Sequence, residues 1–213
     1  MVRRRLPWLK PTLRRRWLRY AGRRAAWALL VTAVFAALVA ADRWGLFGRA
    51  PRRDSEKYHL QSFTVVHVSD GDTLDVDCPD GRYAHTRIRL WGVDTPETVK
   101  PDTPVQHFGP QAAQFTRDAT LGQVVSLELD SRQTRDKYDR LLAYVFLPDG
   151  RMLNRRLVEE GYGYADPRYN HRAKDEFARL QRQAMRQRRG LWKNARNEDL
   201  PYYYRDTLKL PAR

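Results

Sequence analysis

The chain has 213 residues, of which 31% are charged, and a formal net charge of +15. The length suits one globular domain with additional segments, and Cys78, the single cysteine, excludes an intramolecular disulfide. Residues 1–50 contain twelve Lys or Arg and one acidic residue, whereas the remaining chain contains 28 basic and 24 acidic residues. The overall charge is therefore no argument that the globular part binds nucleic acid.

An apolar run near the N-terminus predicts a membrane anchor. Residues 25–41 contain no charged side chain, and as a helix they would extend about 26 Å, slightly less than the roughly 30 Å hydrocarbon core of a bilayer. Residues 1–24 contain ten Lys or Arg, which predicts a cytoplasmic N-terminus, a single-pass anchor and a domain outside the cytoplasm. The small residues before Asp42 leave open a cleaved signal peptide followed by secretion.

The composition changes again after the anchor. Residues 42–60 are polar and predict a linker, residues 61–193 have the pattern of a folded domain, and residues 194–213 predict an irregular tail. The domain begins with a predicted hairpin of three strands between residues 62 and 93. Its strands are SFTVVHV, LDVDC and TRIRLWGV, separated by the turns SDGDT and PDGR.

The rest of the domain alternates between helices and strands. GPQAAQFTRDATLG predicts a helix with Pro110 in its first turn and Gly122 at its end. VVSLELD and LLAYVFLPDG predict two further strands, MLNRRLVEEG predicts a second helix closed by Gly161, and residues 172–190 predict a long amphipathic helix. The five strands predict a mainly β fold with α-helices (α+β), in which a small closed barrel carries about three helices.

Charged and polar side chains follow three of the predicted strands, where a sequence that only builds a core would not need them. They are Asp70 and Asp72 in SDGDT; Arg89, Asp94 and Glu97 in IRLWGVDTPET; and Lys137, Tyr138 and Arg140 in RDKYDR. Strand ends of a barrel meet at one rim, so we expect these side chains to converge. Strict alternation places Arg89 and Asp94 on opposite faces, and their convergence requires an interruption, for which Gly92 offers a place.

These residue types together indicate chemistry on a phosphate. Carboxylates that lie close together repel one another unless a cation neutralises them, and carboxylate and carbonyl oxygens suit a hard ion such as Ca²⁺ or Mg²⁺. The sequence has no Cys/His cluster of the kind that binds zinc. Guanidinium groups bind phosphate oxygens through forked hydrogen bonds. A metal, a free carboxylate and two arginines are the components that phosphodiester hydrolysis needs.

The order of the motifs resembles that of the staphylococcal-nuclease-like (thermonuclease) family. SDGDTL, RLWGVDTPE and DKYDRLLAYV, together with GPQA and a final GLW, carry the resemblance, which extends from about Phe63 to Trp192. It implies an OB-fold barrel of five strands with three helices. It also implies Ca²⁺-dependent cleavage of DNA and RNA to 5′-hydroxyl and 3′-phosphate ends. No obligate protein partner is evident from the sequence.

The resemblance also implies a role for each residue of the three motifs. Asp72, Asp94 and the Thr95 carbonyl would hold Ca²⁺ with Asp70 behind them, Glu97 would act as the general base, Arg89 and Arg140 would be the two catalytic arginines, and Lys137 and Tyr138 would contact a substrate phosphate. Asp139 stands where the family usually has glycine, so we expect it to compete for the Arg140 guanidinium. Tyr162 and Tyr164 are the candidates for stacking on the substrate.

Three alternatives remain open at the level of sequence. The charged residues of the three motifs could form a structural network of salt bridges at the barrel rim. The domain could be a non-catalytic OB-fold module that binds nucleic acid or a protein. It could also be a structural anchor that docks other components of the cell envelope.

Overall fold

The computed structural model describes residue 27 and residues 30–37, 54–98, 105–208 and 210. The chain divides into two compact units, Met1–Arg52 and Arg53–Arg213. In the first unit the described residues are helical and exposed. Among the described residues, no helix is long and apolar enough to cross a membrane. The basic segment 1–24 and residues 25, 26, 28, 29 and 38–41 of the predicted anchor lie outside the described residues.

The second unit is built on a closed five-stranded barrel. Its strands are β1 (Gln61–Asp70), β2 (Thr73–Val76), β3 (Thr86–Leu90), β5 (Val124–Leu129) and β6 (Leu141–Phe146), in the order β1-β2-β3-β6-β5. Neighbouring strands are antiparallel except for β3 and β6, which are parallel. A separate pair is formed by β4 (Val93–Asp94) and β7 (Tyr164–Ala165). The predicted five-stranded barrel with an OB-fold is confirmed.

The barrel encloses the apolar core. Along β3 the burial alternates, so that Ile88 and Leu90 point inward while Arg87 lies at the surface. Leu74, Leu127 and Leu141 from other strands meet them there. Each fully buried side chain of this kind contributes roughly 1.5–3 kcal/mol, which explains why the alternating pattern specifies the register of the strands.

Three longer helices pack against the barrel. They are α2 (Gly109–Thr120), α3 (Leu153–Glu159) and α4 (Lys174–Arg186), and they correspond to the three predicted helices. Pro110 lies in the first turn of α2, where its missing N–H costs no hydrogen bond. Along α4 the buried Phe177, Leu180 and Ala184 form the stripe that the helical spacing predicts.

Two segments outside the predicted domain also form helices and pack against it. Helix α1 (Asp54–Tyr58), in the predicted linker, buries Tyr58, whose hydroxyl lies 3.0 Å from that of Thr86. Part of the predicted irregular tail forms a 3₁₀ turn (Asn197–Asp199) and the short helix α5 (Tyr202–Arg205). The tail differs from the expectation because Tyr204 buries its ring while its hydroxyl donates to the Ala165 carbonyl.

Candidate active site

An interruption after β3 turns the chain toward the cleft. The strand ends at Leu90, and Gly92 adopts a φ of +76°, which glycine reaches without strain. A Cβ on Gly92 would lie 2.3 Å from Cε1 of His171, so no side chain fits there. The break resets the alternation, and the guanidinium of Arg89 meets the carboxylate of Asp94. The predicted interruption at Gly92 is confirmed.

The turn between β1 and β2 brings the first aspartates against this segment. Gly71 packs so closely on Thr95 that an added Cβ would lie 2.8 Å from Thr95 Oγ1. The Thr95 N–H donates to Asp72 Oδ2 at 2.8 Å, and the Thr73 hydroxyl donates to Asp72 Oδ1 at 3.0 Å. Asp72 is thus fixed at the base of the site by neighbours from two motifs.

One arginine bridges the two carboxylates predicted to bind metal. Arg89 Nη1 contacts Asp72 Oδ1, and its Nη2 lies 2.5 Å from Asp94 Oδ1. The Arg89 side chain is 15% exposed and that of Asp72 is 3% exposed, so their charges are shielded from water. The guanidinium offsets the repulsion that two adjacent carboxylates would otherwise experience.

Asp70 and Glu97 form a second carboxylate pair in the cleft. Burial raises the pKa of Asp70 to about 6, with a further contribution from the Glu97 carboxylate, while hydrogen bonds from Thr98 and Gly71 oppose the rise. Those two bonds to Asp70 Oδ1 are each 2.8 Å long. The backbone of Glu97 is held by Gln106, whose side-chain Oε1 accepts from the Glu97 N–H at 2.9 Å.

The third motif is organised by a carboxylate within it. Asp136 Oδ2 accepts from Arg140 Nε at 2.7 Å and lies 2.6 Å from Arg140 Nη2. Asp136 Oδ1 accepts from the backbone N–H groups of Tyr138 and Arg140. The exposed Tyr138 ring has Lys137 Nζ 4.9 Å from its centroid and the Arg140 guanidinium 5.4 Å from it.

Asp139 does not bind the arginine that we expected. Its φ of +65° belongs to the left-handed region, which Asp tolerates better than most residues and glycine adopts freely. This conformation directs Asp139 to Arg135, whose Nη1 lies 3.0 Å from the Asp139 carbonyl and 3.5 Å from its Oδ1. The expected competition for Arg140 was therefore wrong, because Asp136 is the carboxylate that binds this guanidinium.

The structure brings all nine predicted site residues of the three motifs to one cleft of about 750 Å³. They are Asp70, Asp72, Arg89, Asp94, Thr95, Glu97, Lys137, Tyr138 and Arg140. The strand ends converge there as the barrel geometry predicts. Which chemical role each residue performs stays a prediction.

The two tyrosines predicted to stack on substrate lie elsewhere. Tyr162 stacks on Phe115 with ring centroids 4.2 Å apart and lines a separate groove of about 460 Å³. Tyr164 is buried edge-on against Trp192. The aromatic side chain that lines the cleft from this segment is the partly exposed Tyr169, whose ring centroid is 5.3 Å from that of Trp91. The expectation for Tyr162 and Tyr164 was wrong, because their rings pack into the body of the domain.

Two residues at Asp94 were missed by the sequence analysis. The Tyr203 hydroxyl donates to Asp94 Oδ2 at 2.7 Å, and Arg168 Nη2 lies 3.4 Å from the same oxygen. Burial, followed by the negative charge of Asp94, raises the pKa of Tyr203, so its hydroxyl stays protonated and donates. Tyr203 is 109 positions from its partner along the chain, and no local pattern predicts such a pair.

The donor set at this end of the cleft consists of oxygen atoms, which a hard cation prefers. The guanidinium of Arg89 already contacts the Asp72 and Asp94 carboxylates, so a cation would have to share them with Arg89. Among the described residues, no group of three or more His, Cys, Asp or Glu side chains is arranged to hold a metal. A cation there would need the Thr95 carbonyl and water in addition to the two carboxylates, and such an all-oxygen set suits Ca²⁺.

Comparison with known proteins adds independent evidence. The model of the family described as staphylococcal nuclease homologue matches residues 87–194. The thermonuclease of Staphylococcus hyicus is 42% identical over 135 residues, which cover 63% of this chain and 77% of that protein. The thermonuclease of Staphylococcus intermedius is 42% identical over 144 residues, covering 66% of this chain and 82% of that protein. The SPbeta prophage-derived endonuclease YokF of Bacillus subtilis is 33% identical over 135 residues, covering 62% and 44% respectively.

Proposed function

The chain belongs to the staphylococcal nuclease homologue family, and from this premise we propose that it is a Ca²⁺-dependent nuclease that hydrolyses DNA and RNA to 3′-phosphate and 5′-hydroxyl ends. Its class is a phosphodiester hydrolase. The observation that carries the proposal is the convergence of three separate motifs, with their acids, arginines and lysine, on one cleft.

Asp72, Asp94 and the Thr95 carbonyl are the groups that would hold Ca²⁺, with Asp70 behind them. When bound, the ion supplies positive charge against the charge that develops on the phosphate oxygens. The Asp94 and Asp72 carboxylates are already oriented by hydrogen bonds from Tyr203 and from the Thr95 N–H. Such fixed orientation lowers the cost of ordering the ligands when the cation binds.

The two arginines would bind the non-bridging oxygens of the scissile phosphate. Arg89 forms ion pairs with Asp72 and Asp94, and Arg140 forms one with Asp136. These carboxylates hold each guanidinium in the cleft. Forked N–H groups match phosphate oxygens in geometry and in charge. Both arginines would therefore stabilise the charge that builds up on the phosphorus oxygens.

Glu97 would be the base for the attacking water. Its carboxylate takes a proton from water, the water oxygen bonds to phosphorus, and the bond from phosphorus to the 5′ oxygen breaks. The 5′ oxygen takes up a proton from solvent, which leaves a 5′-hydroxyl on one product and a 3′-phosphate on the other. Lys137 and Tyr138 would contact the phosphate backbone, and Tyr169 would offer its ring to a base.

We propose further that the domain is held on the outer side of the cytoplasmic membrane by residues 25–41, with secretion after signal cleavage as the alternative. The uncharged run and the ten basic residues before it support this arrangement. Cell fractionation distinguishes an anchored chain from a secreted one, and protease added to intact cells tests on which side the domain lies.

The activity is tested with the full chain purified in detergent and a single-stranded DNA oligonucleotide. With Ca²⁺ we expect cleavage to products with 3′-phosphate and 5′-hydroxyl ends, and with a chelator we expect none. Glu97→Gln should lower the rate constant at least about 10²-fold, because general-base catalysis contributes about 10²–10⁴-fold. Glu159→Gln changes a carboxylate that pairs with Arg155 on α3, outside the cleft, and should cleave like the parent.

Other outcomes of this experiment would contradict the proposal. Tight binding of the oligonucleotide without cleavage would favour a non-catalytic module of the same family. Equal cleavage by the parent and Glu97→Gln would remove Glu97 as the base. Undiminished cleavage in the presence of the chelator would remove the dependence on Ca²⁺.

A further inference from the structure

The two oxygens of Asp94 face different partners. Oδ1 faces Arg89 at 2.5 Å, on the side where Asp72 lies. Oδ2 accepts from the Tyr203 hydroxyl at 2.7 Å and has Arg168 Nη2 at 3.4 Å. The C-terminal segment lies outside the three motifs. Its Tyr203 thus binds one of the two oxygens of Asp94, a carboxylate that the proposed function assigns to the metal.

Tyr203 is held in this position from both sides along the chain. Leu200 before it and the ring of Tyr204 after it are buried, and both pack in one cluster with Tyr164. Tyr164 belongs to β7, where it pairs with Asp94 of β4. The segment is therefore fastened to the same small sheet that carries the carboxylate.

The guanidinium of Arg168 packs over the face of the Tyr203 ring. It lies 4.3 Å from the ring centroid and is held by two hydrogen bonds to the buried Asp166, at 2.9 Å and 2.6 Å. The Asp166 N–H in turn donates to the Gly92 carbonyl at 2.9 Å. Because Asp166 neutralises Arg168, Arg168 does not cancel the negative charge of Asp94. The neutral hydroxyl of Tyr203 orients Asp94 and leaves that charge in place.

We propose that Tyr203 is a positioning residue for Asp94. Its hydroxyl holds Oδ2 and so presents Oδ1 toward Asp72, where the cation of the proposed function would bind. The terminal torsion of an aspartate is broad. Without this partner, the rotation of the carboxylate would have to be frozen when the cation binds, and this cost would weaken the binding. The inference rests on the proposed function, since it takes Asp94 as a metal ligand.

The test compares two tyrosines of the same segment. Tyr203→Phe keeps the ring beneath Arg168 and removes only the hydroxyl, whereas Tyr204→Phe removes a hydroxyl that bonds a backbone carbonyl instead of Asp94. Calorimetric titration of the full chain with Ca²⁺ alone should give a dissociation constant about tenfold higher for Tyr203→Phe, since groups that orient metal ligands typically contribute 10–100-fold. Tyr204→Phe should stay within about twofold of the parent.

A second readout separates positioning from general damage to the fold. Raising the Ca²⁺ concentration should restore the kcat of Tyr203→Phe to about that of the parent, because only metal affinity is impaired. Equal Ca²⁺ affinity for the parent and Tyr203→Phe, or the same loss in both variants, would overturn the inference while leaving the proposed function intact. If the parent itself binds no Ca²⁺, the metal part of the proposed function fails and the inference falls with it.

Discussion

Arg135 and Arg89 each bridge two aspartates from separate segments of the chain, and the difference between them separates a structural cluster from a reactive cleft. Arg135 takes Asp54 through two hydrogen bonds of 2.9 Å and 2.8 Å, and Asp80 through two of 2.7 Å and 3.1 Å. All four carboxylate oxygens are therefore bound by one guanidinium. The cluster, which we call the clasp, fastens helix α1 to the turn that follows β2.

Arg89 engages its two aspartates through one oxygen each. The second oxygen of Asp72 accepts from the Thr95 N–H, and the second oxygen of Asp94 accepts from the Tyr203 hydroxyl. These neutral donors orient the carboxylates and leave their negative charge in place. The rim cluster of Arg89, Asp72 and Asp94 also lines the large cleft. In the clasp, one guanidinium therefore binds all four carboxylate oxygens, whereas in the rim cluster a neutral donor holds one oxygen of each carboxylate.

Replacing each arginine by lysine should produce the largest difference between the rim cluster and the clasp. Lysine keeps the charge and loses the forked geometry. We expect Arg89→Lys to lower nuclease kcat about 10²- to 10³-fold, the usual effect of removing a donor that stabilises transition-state charge. Arg135→Lys should keep activity within about twofold and lower the free energy of unfolding by about 1 kcal/mol, or about 2–4 °C in Tm.

Initial rates at saturating oligonucleotide and thermal unfolding followed by circular dichroism measure both quantities. If the two variants lose activity only in proportion to their loss of stability, the rim cluster is a structural salt-bridge network like the clasp. That outcome would favour the first of the three alternatives that the sequence left open, a structural network of salt bridges at the barrel rim.

Local patterns predicted the barrel and the cleft because their determinants are local. Alternation of apolar residues places the strands, and glycine or proline marks their ends, so Asp70, Arg89 and Arg140 could be assigned to one rim from sequence. The pairing of Tyr203 with Asp94 depends on where the tail docks, which no short pattern encodes. The partner of Asp139 depends on its positive φ, which the chain acquires only within the folded turn.

We expect Ca²⁺ that binds at the rim cluster to raise the free energy of unfolding whether or not the clasp is intact. At about 100 times the dissociation constant, a ligand that binds only the native state adds about 2.7 kcal/mol to the free energy of unfolding. Thermal unfolding with and without Ca²⁺ should therefore show a rise in Tm of several degrees for the parent. Asp80→Asn should start from a lower Tm and keep the full rise, whereas Asp72→Asn should show none. A rise that survives in Asp72→Asn would place the cation elsewhere.

The smallest expected effect is the pH dependence of the clasp. Burial raises the pKa of Asp54, but hydrogen bonds from Arg135 and Thr134 and the charge of Arg135 lower it by more, so the pKa lies below its usual range. A carboxyl whose pKa is depressed on folding stabilises the native state above its unfolded pKa of about 3.9, and this contribution is lost as the pH falls through the folded value. In urea unfolding at pH 7, Asp54→Asn should be less stable than the parent by up to about 1 kcal/mol. The gap should narrow below about pH 4, because protonated Asp54 and asparagine are then both neutral. A gap of constant size down to pH 3 would mean that Asp54 acts through shape and hydrogen bonding, and that the clasp does not depend on charge.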